Sequence, residues 1–212
     1  MKGYWRRSFC VCLCIGLLFS LLSCSDDNAP NTDLLVAFTT DNANGPGSVQ
    51  RYNGATGASL GTFAAVGLDV PTGLVFGPDG NLYVASFNTS TVQRYNGRTG
   101  ASMGTFAGGG GLDGPEQLVF GPDGNLYVAS FNNNTVQRFE GKTGRFLGTF
   151  VTAGAGGLNG PTGLAFGRDG NLYVSSNTSD EVLRYNGKTG AFVGIFVAAS
   201  RLMFPAFLLF MP

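Results

Sequence analysis

The feature that most constrains this chain is an internal repeat with a period of about 44 residues. The string GPDGNLYVAS occupies residues 77–86 and again 121–130, and the variant GRDGNLYVSS occupies residues 167–176. A second marker, QRYNG or a close variant, begins at Gln50, Gln93, Gln137 and Leu183. Because a repeated unit of this size buries its apolar positions against its neighbours, the fold has to be a series of similar units in contact.

Each repeat contains four segments with the length and composition of strands. In the second repeat these are roughly residues 73–76, 82–86, 91–95 and 102–107, which we name strands a, b, c and d. They are rich in aromatic and β-branched residues, and the gaps carry the turn sequences GPDGN and NGRTG. Four short antiparallel strands in this length match one propeller blade. We therefore expect an all-β fold, a β-propeller of four-stranded antiparallel blades.

The repeat also has a family resemblance. Its pattern L-x-x-P-x-x-L-x-F-G-P-D-G-N-L-Y-V resembles NHL-type repeats and is similar to the propellers of the streptogramin-lyase-like group. The resemblance covers essentially all of residues 34–212. It implies the propeller fold but no particular activity, because the shared residues are turn and core positions.

The repeats predict about four blades. The first repeat starts at strand b, since DLLVAF at residues 33–38 aligns with NLYVAS. The apolar C-terminus aligns with strand a at a constant offset of 44, which favours a repeat fragment over a membrane anchor. A closed ring, in which the last strand completes the first blade, and a partial, open propeller both remain possible. The repeats are roughly 34–70, 71–114, 115–160 and 161–204, followed by a final strand, 205–212.

The N-terminus has the organisation of an export signal. Basic residues at Lys2, Arg6 and Arg7 precede an apolar run over 9–22, and LLSC follows, ending at Cys24. This resembles the lipobox of bacterial lipoproteins. The resemblance implies that residues 1–23 are a cleaved signal peptide, that Cys24 is lipidated, and that residues 24–33 form a tether. It predicts anchoring to a membrane on the extracytoplasmic side of the cell envelope, at the outer membrane in a Gram-negative host.

Composition excludes several function classes. The chain contains no histidine, the commonest general base and metal ligand, and its formal net charge is zero. A zero net charge does not provide the excess of positive charge that binds the phosphates of nucleic acid. We therefore expect no catalytic residue, no metal site, no cofactor and no nucleic-acid partner.

Two recurring charged residues are interpreted as structural. One aspartate recurs in the PDGN-type turn, and a single carboxylate per turn falls far short of the oxygen ligands that calcium needs. One arginine recurs in strand c, where we expect it to bridge blades or to stack on the neighbouring tyrosine. These residues are Asp79, Asp123 and Asp169, and Arg51, Arg94, Arg138 and Arg184.

Candidate ligand-binding residues lie in the loops of one face. In a propeller the d-to-a and b-to-c loops share a face, and ligands usually bind there. At the d-to-a entrance, Glu116 and Gln117 replace the Thr-Gly pair of the other full repeats. The remaining candidates are the amide and carboxylate residues of these loops: Asp69, Asp113, Asn159, Asn88, Asn132 and Asn177.

The favoured function is a lipid-anchored, non-catalytic binding or scaffold module for a protein or glycan. One alternative is a lyase- or lactonase-like propeller enzyme. A lyase of the streptogramin group requires a histidine base that this chain lacks. A lactonase-like site would need Asp69, Asp113, Glu116 and Asn159 around a calcium ion. The other alternative is a truncated remnant of a larger propeller.

Overall fold

The computed structural model describes residues 33–39 and 45–211. Three sheets have four antiparallel strands, in the simple orders β4–β7, β8–β11 and β12–β15, and the first sheet has three, β1–β3. We call these sheets blades I to IV. The predicted all-β propeller architecture is confirmed. The strands are β1 Leu34–Thr39, β2 Gly47–Tyr52, β3 Ser59–Ala64, β4 Pro71–Phe76, β5 Leu82–Ser86, β6 Thr91–Tyr95, β7 Ser102–Gly108, β8 Pro115–Phe120, β9 Leu126–Ser130, β10 Thr135–Phe139, β11 Phe146–Val151, β12 Pro161–Phe166, β13 Leu172–Ser176, β14 Glu181–Tyr185 and β15 Phe192–Val197.

Within the described residues, blade I consists of strands b, c and d. Two short 3₁₀ segments, Ala155–Gly157 and Ala199–Arg201, complete the secondary structure of the described residues. No helix in this part of the chain is long and apolar enough to cross a bilayer. The predicted signal peptide, Cys24 and the tether up to residue 32 lie outside the described residues.

Apolar residues are buried between blades rather than within them. Every residue of strand b is buried in blades II to IV. Neighbouring blades cover this strand in blades II and III, and the C-terminal segment covers its outer side in blade IV, where Phe210 packs on Tyr173. One buried cluster joins Val49 and Ala64 of blade I to Leu82, Val84 and Tyr95 of blade II. Equivalent clusters join blades II to III and III to IV. Full burial of each such leucine stabilises the fold by about 1.5–3 kcal/mol, so each blade depends on the next.

A tyrosine in strand b marks the contact between blades II and III and that between blades III and IV. Tyr127 meets Phe150 of its own blade and Phe166 of the next blade edge-on, at ring distances of 4.8 and 5.1 Å. The guanidinium of Arg138 lies over the Phe150 ring at 5.6 Å. The same cluster recurs around Tyr83. The arginine is structural, as predicted, but it stacks on a phenylalanine of strand d.

The recurring aspartate closes its turn. The Asp123 carboxylate accepts hydrogen bonds from the Asn125 backbone at 3.1 Å and the Tyr127 hydroxyl at 3.0 Å. Burial alone would raise the pKa of Asp123, but the hydrogen bonds from Asn125 and Tyr127 outweigh it and hold the pKa below its ordinary value. The carboxylate is therefore committed to the turn, as predicted.

At each boundary a backbone amide at the start of strand a also donates a hydrogen bond to the b-to-c loop of the preceding blade, as the Val70 amide does to the Gly45 carbonyl at 3.1 Å. In the b-to-c loop of blade III, the Asn134 side chain accepts a hydrogen bond of 2.7 Å from the Gly160 amide of blade IV. Ser90 and Asp180 make the equivalent bonds to Gly114 and Phe204. The donor residue has a positive φ at each boundary: 51° at Val70, 58° at Gly114, 61° at Gly160 and 48° at Phe204.

Val70 is therefore strained where two equivalent positions hold glycine. A β-branched side chain at positive φ costs about 1–2 kcal/mol. We expect Val70→Gly to raise the free energy of unfolding by about 1 kcal/mol, since the added freedom of glycine in the unfolded chain offsets part of the relief. Urea unfolding of both proteins measures this. A midpoint that falls on substitution contradicts the strain argument.

The C-terminal segment, residues 202–211, lies where strand a of a further blade would lie. Thr162 Oγ1 donates to the Pro205 carbonyl at 2.8 Å, as Thr72 Oγ1 donates to Pro115 at 2.8 Å. The segment is nevertheless not a strand, because no strand b pairs with it among the described residues. β1 pairs only with β2 there. The described residues therefore show the open arrangement of blades and not the closed ring.

Candidate functional site

The b-to-c and d-to-a loops of each blade bond to each other on one face. In blade II the Asn88 side-chain amide donates to Asp69 Oδ1 at 3.0 Å, and the Phe87 amide donates to the Val70 carbonyl at 3.0 Å. On the other face the Gly141 amide of a c-to-d turn donates to the Asn125 side chain of an a-to-b turn, at 3.4 Å. This is the predicted division of the loops.

Blade III repeats the same pair, whereas blade IV does not. Asn132 donates to Asp113 Oδ1 at 2.9 Å, and both residues are exposed. In blade IV, Asn177 occupies the position of Phe87, one residue before the expected amide, and donates to the Pro205 carbonyl at 3.2 Å. Asn159 is exposed, and its carbonyl accepts from the Thr178 amide at 3.2 Å. The structure brings Asp69 to Asn88 and Asp113 to Asn132, and leaves Asn159 and Asn177 apart from them.

Two phenylalanines accompany these pairs. The Phe87 and Phe131 rings are 6.3 Å apart and inclined at 52°, and both side chains are half-buried. Each ring packs over the glycine at the next blade boundary, so closely that a Cβ on Gly114 would lie 2.9 Å from Phe87. Sequence reasoning missed these rings, although a Phe-Asn dipeptide directly after LYVAS in both blades marks them. We call this set the Asp–Asn rim; it comprises Asp69, Phe87, Asn88, Asp113, Phe131 and Asn132.

Glu116 lies on the innermost strand of blade III, β8. Its side chain is half-buried, and burial raises its pKa to about 7. Thr72 and Thr162 occupy the same position in blades II and IV, and their hydroxyls donate to carbonyls of the following strand. An ionised carboxylate cannot donate such a bond, whereas a protonated one can. Burial on β8 thus brings the pKa of the Glu116 carboxyl close to neutral pH.

Gln117 has a structural contact. Its Oε1 accepts a hydrogen bond of 2.7 Å from the Leu164 amide on β12, the innermost strand of the next blade. In blades II and IV the equivalent residues are Gly73 and Gly163. Gln117 therefore links two blades at the channel, and this contact engages one of its two polar groups.

Removing this acceptor should weaken the III–IV contact. We expect Gln117→Met to lower the free energy of unfolding by about 1 kcal/mol, because the Leu164 amide loses its partner while the side-chain volume is kept. Chemical denaturation of the wild type and the variant measures the change. Met103→Gln, an exposed polar substitution on β7, is the control and should leave stability within about 0.5 kcal/mol. A change at 117 no larger than at 103 contradicts the assignment.

The acidic residues do not assemble into a cation site. Among residues 33–39 and 45–211, no three His, Cys, Asp or Glu side chains lie together as metal ligands would. The carboxylates of Asp69 and Asp113 are instead bonded to asparagines. The described residues thus do not form the acidic cluster that a lactonase-like calcium site requires.

Comparison with known proteins supports the fold. The family description "Strictosidine synthase-like, N-terminal" matches residues 102–132, which include β7, β8 and β9. No curated protein matches the sequence significantly. Virginiamycin B lyase from Staphylococcus aureus is a similar solved structure, with 19% identity and a TM-score of 0.61, covering 82% of this chain and 55% of the lyase chain.

Two further structures are similar. A catalytically inactive histidine-to-alanine variant of the Staphylococcus aureus lyase, solved with quinupristin, has 20% identity and a TM-score of 0.60, covering 82% of this chain and 55% of that chain. A nidogen/laminin complex contains a chain with 17% identity and a TM-score of 0.60, covering 74% of this chain and 57% of that one. The described blades have the streptogramin-lyase-like β-propeller fold, and the chain spans only about half the length of these similar structures.

Proposed function

We propose that this protein is a lipid-anchored, extracytoplasmic β-propeller that binds a protein or glycan without catalysing a reaction. The observation that carries the proposal is the Asp–Asn rim. There, Asp113 and Asn132 are exposed, and the half-buried rings of Phe87 and Phe131 directly precede the two asparagines of the amide–carboxylate pairs in the chain. Aromatic faces beside fixed hydrogen-bonding groups are the combination that binding surfaces use for orientation and affinity.

The chemistry of the chain favours binding over lyase activity. The inactive lyase variant differs by replacement of a histidine, and this chain has no histidine at all. Glu116 is a candidate general base because its pKa is near neutrality. However, no second titratable side chain is bonded to Glu116 among the described residues. The nidogen/laminin complex supports the use of this fold in protein recognition.

The binding proposal is tested by substituting residues of the Asp–Asn rim and measuring ligand binding. Immobilised wild-type protein and the double variant Asp113→Ala/Asn132→Ala are applied to arrays of cell-surface glycans and to extracellular protein fractions. We expect at least one ligand class to bind the wild type, and the double variant to lose roughly tenfold or more in affinity. The control carries Asp79→Asn on the opposite face and should bind like the wild type. Equal binding by the rim variant refutes the proposed site.

The anchor is tested separately. The sequence over residues 21–24 supports acylation of Cys24, and the basic and apolar segments before it support export. Mass spectrometry of the protein recovered from membranes should show an acylated Cys24 as its first residue. Cys24→Ser should release the protein from the membrane fraction. An unmodified product in the wild type would refute the anchor and leave the binding proposal open.

A further inference from the structure

Blade I exposes positions that are buried in every other blade. Leu34 on β1 is 59% exposed, whereas its equivalents Leu82, Leu126 and Leu172 are fully buried. Val36 is 38% exposed, and its equivalents Val84, Val128 and Val174 are fully buried. These side chains have the same chemistry as their equivalents and lack only the blade that would cover them. Blade I therefore presents an uncovered apolar face.

Blade IV presents the opposite face of the same contact. Phe196 on β15 is 53% exposed, while its equivalents Phe106 and Phe150 are buried. An apolar cavity of about 140 Å³ opens there, bounded by Tyr173, Val182, Phe196 and the C-terminal segment. Exposed apolar surface of this extent marks an interaction site.

The boundary between blades III and IV shows which side chains pack against the equivalent face inside the protein. There, Leu172, Val174 and Tyr185 of blade IV join Tyr127 and Val136 of blade III in one buried cluster. The repeat alignment places Leu34, Val36 and Tyr52 of blade I at the positions of the first three residues. The uncovered face of blade I thus carries the groups that the face of blade IV accommodates.

The number of strands in each blade also indicates that blade I and the C-terminal segment are complementary. Among residues 33–39 and 45–211, blade I has strands b, c and d but no strand a, and the C-terminal segment occupies a strand-a position without a strand b beside it. In the three complete blades, strand a pairs with strand b at Leu74↔Val84, Leu118↔Val128 and Leu164↔Val174. The same register joins Leu208 to Val36.

We propose that two copies of this chain close one propeller ring, with the C-terminal segment of each copy serving as strand a of blade I in the other. The blades of one copy cover 55% of the length of the lyase chain whose fold they share, so that fold accommodates further blades of the same kind. Two copies make both contacts at once and leave no exposed sheet edge. The product has eight blades, within the range that propellers form.

Cysteine cross-linking tests the register directly. Residues 25–212 contain no cysteine and all of the buried clusters, so the chain from Ser25 is the starting protein. One sample carries Val36→Cys and a second carries Leu208→Cys, with tags of different size. Mixed and oxidised, they should form a covalent heterodimer. Replacing the second with Met203→Cys, on the same segment but five positions away, should abolish the cross-link.

The molecular mass and the cross-linking of a double-cysteine variant distinguish a dimer from closure within one copy. Light scattering after gel filtration should give twice the monomer mass for the chain from Ser25, and Val36→Lys should halve it while the circular dichroism spectrum stays unchanged. The double variant Val36→Cys/Leu208→Cys should migrate as a covalent dimer. A fast-migrating cross-linked monomer would show closure within one copy and overturn the proposal. A monomeric mass without any cross-link would also overturn it.

Discussion

Gly144→Ala is expected to lower the free energy of unfolding by about 3 kcal/mol. Gly144 lies in the c-to-d turn of blade III with φ at +75°, and a Cβ there would stand 1.8 Å from the Phe106 carbonyl oxygen of blade II. The positive φ alone costs alanine about 1–2 kcal/mol. The overlap forces two blades apart and adds about 1–3 kcal/mol. Urea unfolding followed by intrinsic fluorescence and circular dichroism measures the loss.

Gly124 supplies a matched control for the backbone effect. It lies in the a-to-b turn of the same blade with φ at +76°, and a Cβ there meets no atom within 4 Å. Gly124→Ala should therefore cost only the conformational part, about 1–2 kcal/mol. The difference between the two variants isolates the contact between blades II and III. Equal losses would mean that the turn at Gly144 does not contact blade II closely in solution.

Stability should fall as the pH rises from about 5 to about 7 because of Glu116. Burial raises the pKa of this carboxyl from an ordinary value near 4.5 to about 7. A folded-state pKa raised in this way gives a contribution that is complete below pH 4.5 and is lost as the pH rises through 7. The shift corresponds to about 3 kcal/mol. Free energies of unfolding measured from pH 5 to pH 8 should show the decline.

Two substitutions identify the group responsible. Glu116→Gln should remove the decline, and Glu116→Thr should remove it and raise stability at pH 8, because threonine at this position in blades II and IV bonds to the next strand. The interval is free of histidine titration, since the chain has none. The shifted aspartates Asp79, Asp123 and Asp169 have lowered pKa values, so their contribution is lost only in stronger acid. A wild-type profile that is flat between pH 5 and pH 8 contradicts the burial of Glu116.

Sequence periodicity predicted most of the fold. Strands b and c of the second repeat were predicted at 82–86 and 91–95, which are the observed bounds of β5 and β6. Strand a was predicted to start at 73 but begins at Pro71. The error has a physical source, because the register between Pro71 and Leu74 is irregular and interrupts the alternation from which a strand is recognised.

The candidate site was predicted less completely. Loop residues lack the apolar–polar alternation of a strand, so the pairing of Asp69 with Asn88 could be placed on the right face but not at the level of contacts. Grouping the candidates as loop amides placed Asn177 with Asn88, whereas the repeat register puts Thr178 at the position of Asn88. The raised pKa of Glu116 depends on burial at the channel, which only the assembled blades produce.

The hydrogen bond at each blade boundary has a consequence for how the chain folds as it is synthesised. Its acceptor precedes its donor by 24 residues for Ser90 and Gly114, 26 for Asn134 and Gly160, and 24 for Asp180 and Phe204. During synthesis, each blade can therefore form this hydrogen bond as soon as the start of the following strand a or, for blade IV, of the C-terminal segment has left the ribosome. Such short separations favour rapid, directional assembly that starts at the first blade and moves towards the C-terminus.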